Sequence, residues 1–195
     1  MPQPIEVSAP DVIEDRLRYI VGLVDGQLRF AETKNAALLI LNSAAVAAAI
    51  QILVGSRSLG VWTSRYLLVF ILGHTLSGVI VLLSLLPITS LSRFAKLGDC
   101  RDSDSLLFFG DCHKYGVNSY LAALYKPCRV TPELSPPPLY RMYAEQIINN
   151  SRIAWRKFSY FRGATWATMC GLFTPVVAAI LFIVVHTYDS VLESS

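Results

Sequence analysis

Residues 36–54 read AALLILNSAAVAAAIQILV, and the reading of this stretch decides the fold. It contains no Asp, Glu, Lys or Arg, and its length is close to the roughly 20 residues an α-helix needs to cross about 30 Å of hydrocarbon. Two further runs have the same character, YLLVFILGHTLSGVIVLLSLL at 66–86 and ATWATMCGLFTPVVAAILFIVV at 164–185. The chain is 53% hydrophobic and 16% charged, and these runs hold the apolar excess. Buried helices of a soluble protein usually span about 10–14 residues and keep a polar face. The three runs lack such a face, so each is predicted to be a transmembrane helix. The first run follows a charged, partly periodic segment rather than a short basic leader, so the N-terminus is expected to be retained.

Basic residues set the expected orientation. Of the 17 Lys and Arg residues, only Arg57 and Arg65 lie between the first two runs, and none follows the third. Arg93 and Lys96 follow the second run, and Arg156, Lys157 and Arg162 precede the third, so the N-terminus and the middle region are expected to be cytoplasmic. The fold class predicted is an all-α integral membrane protein with three transmembrane helices and a cytoplasmic helical stalk or sensor region. The expected organisation is a disordered lead at 1–10, a cytoplasmic helix at 11–35, spans at 36–54, 66–86 and 164–185, a cytoplasmic sensor region at 87–163 ending in a long helix, and an external tail at 186–195. The location expected is a bacterial inner membrane, multi-pass, with the C-terminus periplasmic or external.

Two helices are expected to run directly into spans. The first starts at Asp11, a candidate cap with Glu14 at capping-box spacing, and carries Ile13, Leu17, Ile20, Val24 and Ala31 at helical intervals. The second follows Pro136, Pro137 and Pro138, with Leu139, Met142, Tyr143, Ile147, Ile153, Ala154, Phe158 and Phe161 as its apolar stripe. With their stripes facing, the two would form a parallel stalk of about 25 residues each, roughly 37 Å long. Between them, residues 90–96 read as a short helical exit and 98–105 as a polar turn-rich segment. Leu106 to Gly110 is a short apolar stretch, and 118–125 a short helix capped by Asn118.

Polar residues within the runs, Asn42, Ser43, Gln51, His74, Thr75, Ser77, Thr165, Thr168 and Thr174, are expected to hydrogen-bond between helices. No acid or base accompanies His74 to make a proton relay. Small residues four apart, such as Gly73 and Ser77, permit close helix contact and are consistent with a homo-oligomer. Pro175 removes one backbone hydrogen bond from the third span. Cys100, Cys112 and Cys128 fall in the predicted cytoplasmic region and Cys170 in the third span. Without a paired C-x-x-C spacing they read as free thiols, so neither a disulfide nor a metal is expected, although His113 beside Cys112 leaves zinc imaginable. There is no G-x-G-x-x-G, Walker loop, H-E-x-x-H or nucleophile elbow, so no catalytic residues are assigned and the chain is not expected to be an enzyme. A formal charge of +3 says little about partners by itself, and no nucleic-acid partner is predicted.

The segment from Asn149 to Arg162 interleaves bases and aromatics. Lys157, Tyr160 and Arg162, nearest the third run, read as anchors to membrane lipid, whereas Arg152, farther back, suits a ligand phosphate.

Three blocks carry a resemblance. They are AETKNA at 31–36 running into LLILNS at 38–43, LFFGD at 107–111, and NSRIAWRKF at 150–158 followed by Tyr160 and Arg162. In this order and spacing they resemble the membrane effectors of Pycsar, the bacterial anti-phage system built on pyrimidine cyclases, over almost the whole chain from Asp11 to Val185. Glu32 departs from the aspartate expected in the first block. The resemblance implies no cofactor but a cyclic nucleotide ligand, cCMP or cUMP, made on infection by a partner pyrimidine nucleotide cyclase. It also implies membrane impairment and abortive infection. A ring phosphate needs a cation such as Lys34, Arg152 or Arg156, and a base needs an aromatic face such as Phe108 or Phe109. Alternatives from the same residues are an effector of a cyclic oligonucleotide and a constitutive structural or scaffold subunit of the membrane.

Overall fold

A computed structural model describes residues 9–56, 59–86, 98–128 and 136–193. Of the lead expected at 1–10, residues 1–8 lie outside the described residues and Ala9 and Pro10 already belong to the first helix, while the helical exit expected at 90–96 lies outside the described residues. All regular structure among the described residues is helical: α1 (Ala9–Gly55), α2 (Val61–Leu85), α3 (Phe109–Cys112), α4 (Val117–Cys128) and α5 (Pro138–Glu193). The chain divides into two compact units, a polar one of Met1–Glu32 with Pro87–Phe158 and a spanning one of Thr33–Leu86 with Ser159–Ser195. Helices α1 and α5 each contribute to both.

α1 runs unbroken for 47 residues because nothing in it interrupts a helix. Gly22 and Gly26 weaken it without breaking it. α5 starts where the proline run ends. Pro138 occupies the first helical position, where its missing N–H costs nothing, and Pro137 O accepts from Tyr140 N–H at 3.0 Å. α5 then continues for 56 residues, through Pro175.

In the polar unit, Ile13, Leu17, Ile20 and Val24 of α1 share one core with Tyr140, Ala144, Ile147 and Ile148 of α5. Cys112, Tyr115, Tyr120, Leu121, Leu124 and Tyr125 complete it, so the insert between the spans is part of the core. The α1 stripe lies where its spacing predicts. The α5 stripe is corrected: Leu139 and Met142 are exposed, and the buried row runs through Tyr140, Ala144, Ile147, Ile148, Ser151 and Ala154. Small side chains in that row allow close packing, so the larger apolar residues beside them do not mark the inner face. The cap of α4 is corrected as well. The helix begins at Val117, and Gly116 N–H donates to Ser119 Oγ at 3.0 Å while Gly116 O accepts from Tyr120 N–H at 2.9 Å, which leaves Asn118 inside the first turn.

The spanning unit has an inverted polarity. Its large apolar side chains, among them Ile40, Leu41, Leu72, Leu76, Leu82, Ile180 and Leu181, are exposed, while Asn35, Asn42, His74, Ser77 and Ser84 are buried. Water would penalise that surface, and a bilayer satisfies it. Among the described residues three helices are long and apolar enough to cross a membrane, and α1, α2 and α5 cover the three predicted runs except for Leu86, which caps α2. Asn42 Nδ2 donates to Ser77 Oγ at 2.8 Å, and Thr168 Oγ1 lies 3.0 Å from Asn42 Oδ1 and 2.8 Å from Ser77 Oγ, so one polar residue from each span joins the others. Asn35 Nδ2 adds a second link, donating to Ser84 Oγ at 3.2 Å. Such bonds contribute about 0.6 kcal/mol on average in a membrane, up to about 2 kcal/mol. Ser43 and Thr165 instead donate to carbonyls of their own helices. Gly73 and Ser77 face α5 within the chain: a Cβ on Gly73 would lie 2.5 Å from Gly171 Cα.

Candidate functional site

The insert of the polar unit is organised by two carboxylates and one lysine. Asp104 accepts from Arg101 N–H at 2.9 Å and Tyr115 Oη at 3.3 Å through one oxygen, and from Lys114 Nζ at 3.2 Å through the other. Lys114 Nζ also donates to Asp111 at 2.7 Å, whose second oxygen accepts from Ser105 N–H at 3.1 Å. The Arg101 amide and then the Lys114 ammonium hold the Asp104 carboxyl below its ordinary range. For Asp111 the order is Lys114 first, then the Ser105 amide. Burial, followed by the charge of Asp104, pushes the Tyr115 phenol up to about 12. Gln27 of α1 brackets the next turn, donating to Leu107 O at 3.4 Å and accepting from Phe109 N–H at 3.2 Å. Below it, Cys112 Sγ and Tyr120 Oη both donate to Leu106 O, at 3.1 and 3.0 Å. Burial raises the Cys112 thiol to about 11, so it stays protonated and unreactive. Among the described residues no group of His, Cys, Asp and Glu is placed to hold a metal ion.

This framework places the residues singled out for ligand contact. Phe108 and Phe109 touch, with centroids 4.6 Å apart, and Phe109 also stacks on Phe158 at 4.8 Å. Phe109 is buried by these neighbours, whereas Phe108 is exposed. Arg152 Nε and Nη2 donate to His113 O at 3.3 Å and Tyr115 O at 3.2 Å, so its guanidinium caps the carbonyls that follow α3. Arg156 is half-buried one turn farther along α5. Lys34 belongs to the spanning unit, where its Nζ lies 5.6 Å from the centroid of the Phe161 ring. Lys157, expected to meet lipid, instead forms an ion pair with Glu32 at 2.7 Å and is only 14% exposed. Glu32, the departure from the expected block, thus has a defined partner.

His113 stacks flat on Trp155, with centroids 4.6 Å apart. Its Nδ1 is buried without a hydrogen-bond partner, and burial lowers its pKa below the ordinary His value of about 6.5. The unfolded chain therefore takes up this proton first. The stabilisation is complete above about pH 6.5 and declines as pH falls from there toward the folded-state pKa. Amide exchange in α3 and α4 is expected to be faster at pH 5.5 than at pH 7.5, after correction for intrinsic rates. His113→Gln is expected to flatten that difference. An unchanged pH dependence in the variant would assign it elsewhere.

Sequence reasoning missed a groove on the polar unit, about 670 Å³ in volume. α1 supplies Val12, Arg16 and Ile20, the insert supplies Arg101, Asp102, Asp104 to Leu107 and Tyr115, and the end of α4 supplies Leu124 and Lys126 to Cys128. Arg101 beside two aspartates in a turn-rich segment was its one local signal. Its guanidinium groups come from distant parts of the chain, which no local pattern reveals.

An inverted spanning unit that shares two helices with a folded polar unit defines a multi-pass helical membrane protein. The chain belongs to the PycTM family, the Pycsar effector protein domain, whose family model matches residues 16–185. No curated protein and no solved structure matches it. It is therefore an anti-phage membrane effector of the Pycsar type, multi-pass in the inner membrane, with a functional link to a cyclase.

Proposed function

We propose that the polar unit senses a cyclic pyrimidine mononucleotide, cCMP or cUMP, made by the partner cyclase on infection, and that the spans then impair the inner membrane and cause abortive infection. The observation that carries this reading is the unbroken course of α1 and α5, each of which supplies side chains to both units. A ligand that shifts either helix in the polar core acts on a helix that continues into the spans, where it carries Asn42 or Thr168. The chain itself works as a non-enzymatic switch, as a homo-oligomer in contact with lipid. The clustering of Lys and Arg outside the 55–65 hairpin supports a cytoplasmic polar unit and a periplasmic C-terminus.

The test is calorimetry on the full chain in zwitterionic detergent with cCMP, cUMP, cAMP, cGMP and a cyclic dinucleotide. Saturable heat with cCMP or cUMP, and none with the purine monophosphates, is the expected result. No binding by any mononucleotide would overturn the reading, and binding by the dinucleotide alone would assign a cyclic-oligonucleotide effector.

A further inference from the structure

The groove has an unbalanced charge. Lys126 is neutralised by Asp102 at 3.0 Å, and Asp104 by Lys114 at 3.2 Å together with the Arg101 amide. Among the described residues, the side chains of Arg16 and Arg101 have neither a hydrogen bond nor an ion pair, so two guanidinium groups face the groove uncompensated. Around them lie features suited to a small heterocycle rather than to an inorganic ion. Val12, Ile20, Leu106 and Leu124 form an apolar floor, and Ser105 and Tyr115 also line the groove. The volume of about 670 Å³ falls within the roughly 300–1,000 Å³ usual for small-molecule sites.

Position matters as much as composition. Arg101 is carried by the loop whose amide Asp104 holds, so it is presented from an ordered backbone. Arg16 lies one residue before Leu17, which is fully buried in the polar core. A ligand bridging the two arginines therefore ties the insert to the helix that becomes the first span.

We infer that this groove is the nucleotide site: Arg16 and Arg101 clamp the single negative charge of a cyclic monophosphate, and the base and ribose lie over the apolar floor toward Ser105 and Tyr115. A planar guanidinium suits phosphate oxygens through paired N–H donors, and one anion on two such groups removes their mutual repulsion. The inference rests on the function proposed above and locates its ligand.

The experiment is the same calorimetry, with cCMP and cUMP, on the full-length wild type and on R16Q/R101Q, S105W and R141Q. Ser105 is exposed, so a tryptophan there fills the groove without removing a charge. Arg141 is an exposed cation outside it. Thermal midpoints in the same detergent confirm that each variant is folded. Loss of affinity of about 10- to 100-fold in R16Q/R101Q and a comparable loss in S105W, with R141Q unchanged, is the expected result. Wild-type binding that survives within twofold in both R16Q/R101Q and S105W would overturn the groove while leaving nucleotide sensing intact. A wild type that binds neither nucleotide would remove both.

Discussion

Replacing Gly73 by leucine is expected to unfold the spanning unit, the largest single effect in this protein. A Cβ at Gly73 would sit 2.5 Å from Gly171 Cα, 3.0 Å from Gly171 N and 3.2 Å from Ala167 O. All three are backbone atoms, so no side-chain rotation can relieve the clash. The second and third spans would have to separate, and with them the Asn42, Ser77 and Thr168 hydrogen bonds. Within a bilayer the packing of small residues is a main source of helix association, because lipid is as apolar as the spans themselves. The thermal midpoint of the full chain in detergent is expected to fall steeply. Gly78→Ala serves as the comparison, since its added methyl meets only Leu39 Cδ1 at 3.9 Å and should leave the midpoint nearly unchanged. Equal midpoints for the two variants would rule out the glycine contact.

The second large effect belongs to Tyr120. It is the largest fully buried side chain, lying in the polar core, where its hydroxyl donates to Leu106 O at 3.0 Å. Truncating a buried aromatic to alanine typically costs about 3–5 kcal/mol, through lost transfer energy and the cavity left behind. Tyr120→Ala is therefore expected to unfold much of the insert, seen as loss of amide protection in α4. Tyr120→Phe retains the ring and removes only the hydroxyl, while Leu106 O keeps its bond from Cys112. About 0.5–1.5 kcal/mol is the expected cost there. A cost for Tyr120→Phe as large as for Tyr120→Ala would mean that the hydrogen bond, rather than the packing, organises the insert. Because Arg16 and Arg101 lie on the groove surface, their variants should leave this stability intact, which separates loss of binding from loss of fold.

The spans were legible because a bilayer demands a simple property, some twenty residues without charge, and runs 36–54, 66–86 and 164–185 state it locally. The α1 stripe was legible for a similar reason, since Ile13, Leu17, Ile20 and Val24 are both large and buried. The α5 stripe was less so. Its inner face is built from Ala144, Ser151 and Ala154, and a small residue reveals little about direction, whereas Leu139 and Met142 are apolar yet exposed. Arg152 was identified as a notable cation from its neighbours in sequence, but its bonds go to carbonyls of the distant insert. The groove escaped notice because Arg16, Arg101 and Lys126 converge only through the tertiary fold.

The ion pair between Glu32 and Lys157 bears on how this family diverges. Its two partners stand on α1 and α5, 125 positions apart, and their 2.7 Å contact depends on the combined reach of both side chains. Aspartate in place of Glu32 is shorter by one methylene, which must be recovered by a longer cation at 157 or by smaller residues between the helices. Positions 32 and 157 should therefore drift together across lineages, and arginine at 157 should accompany aspartate at 32.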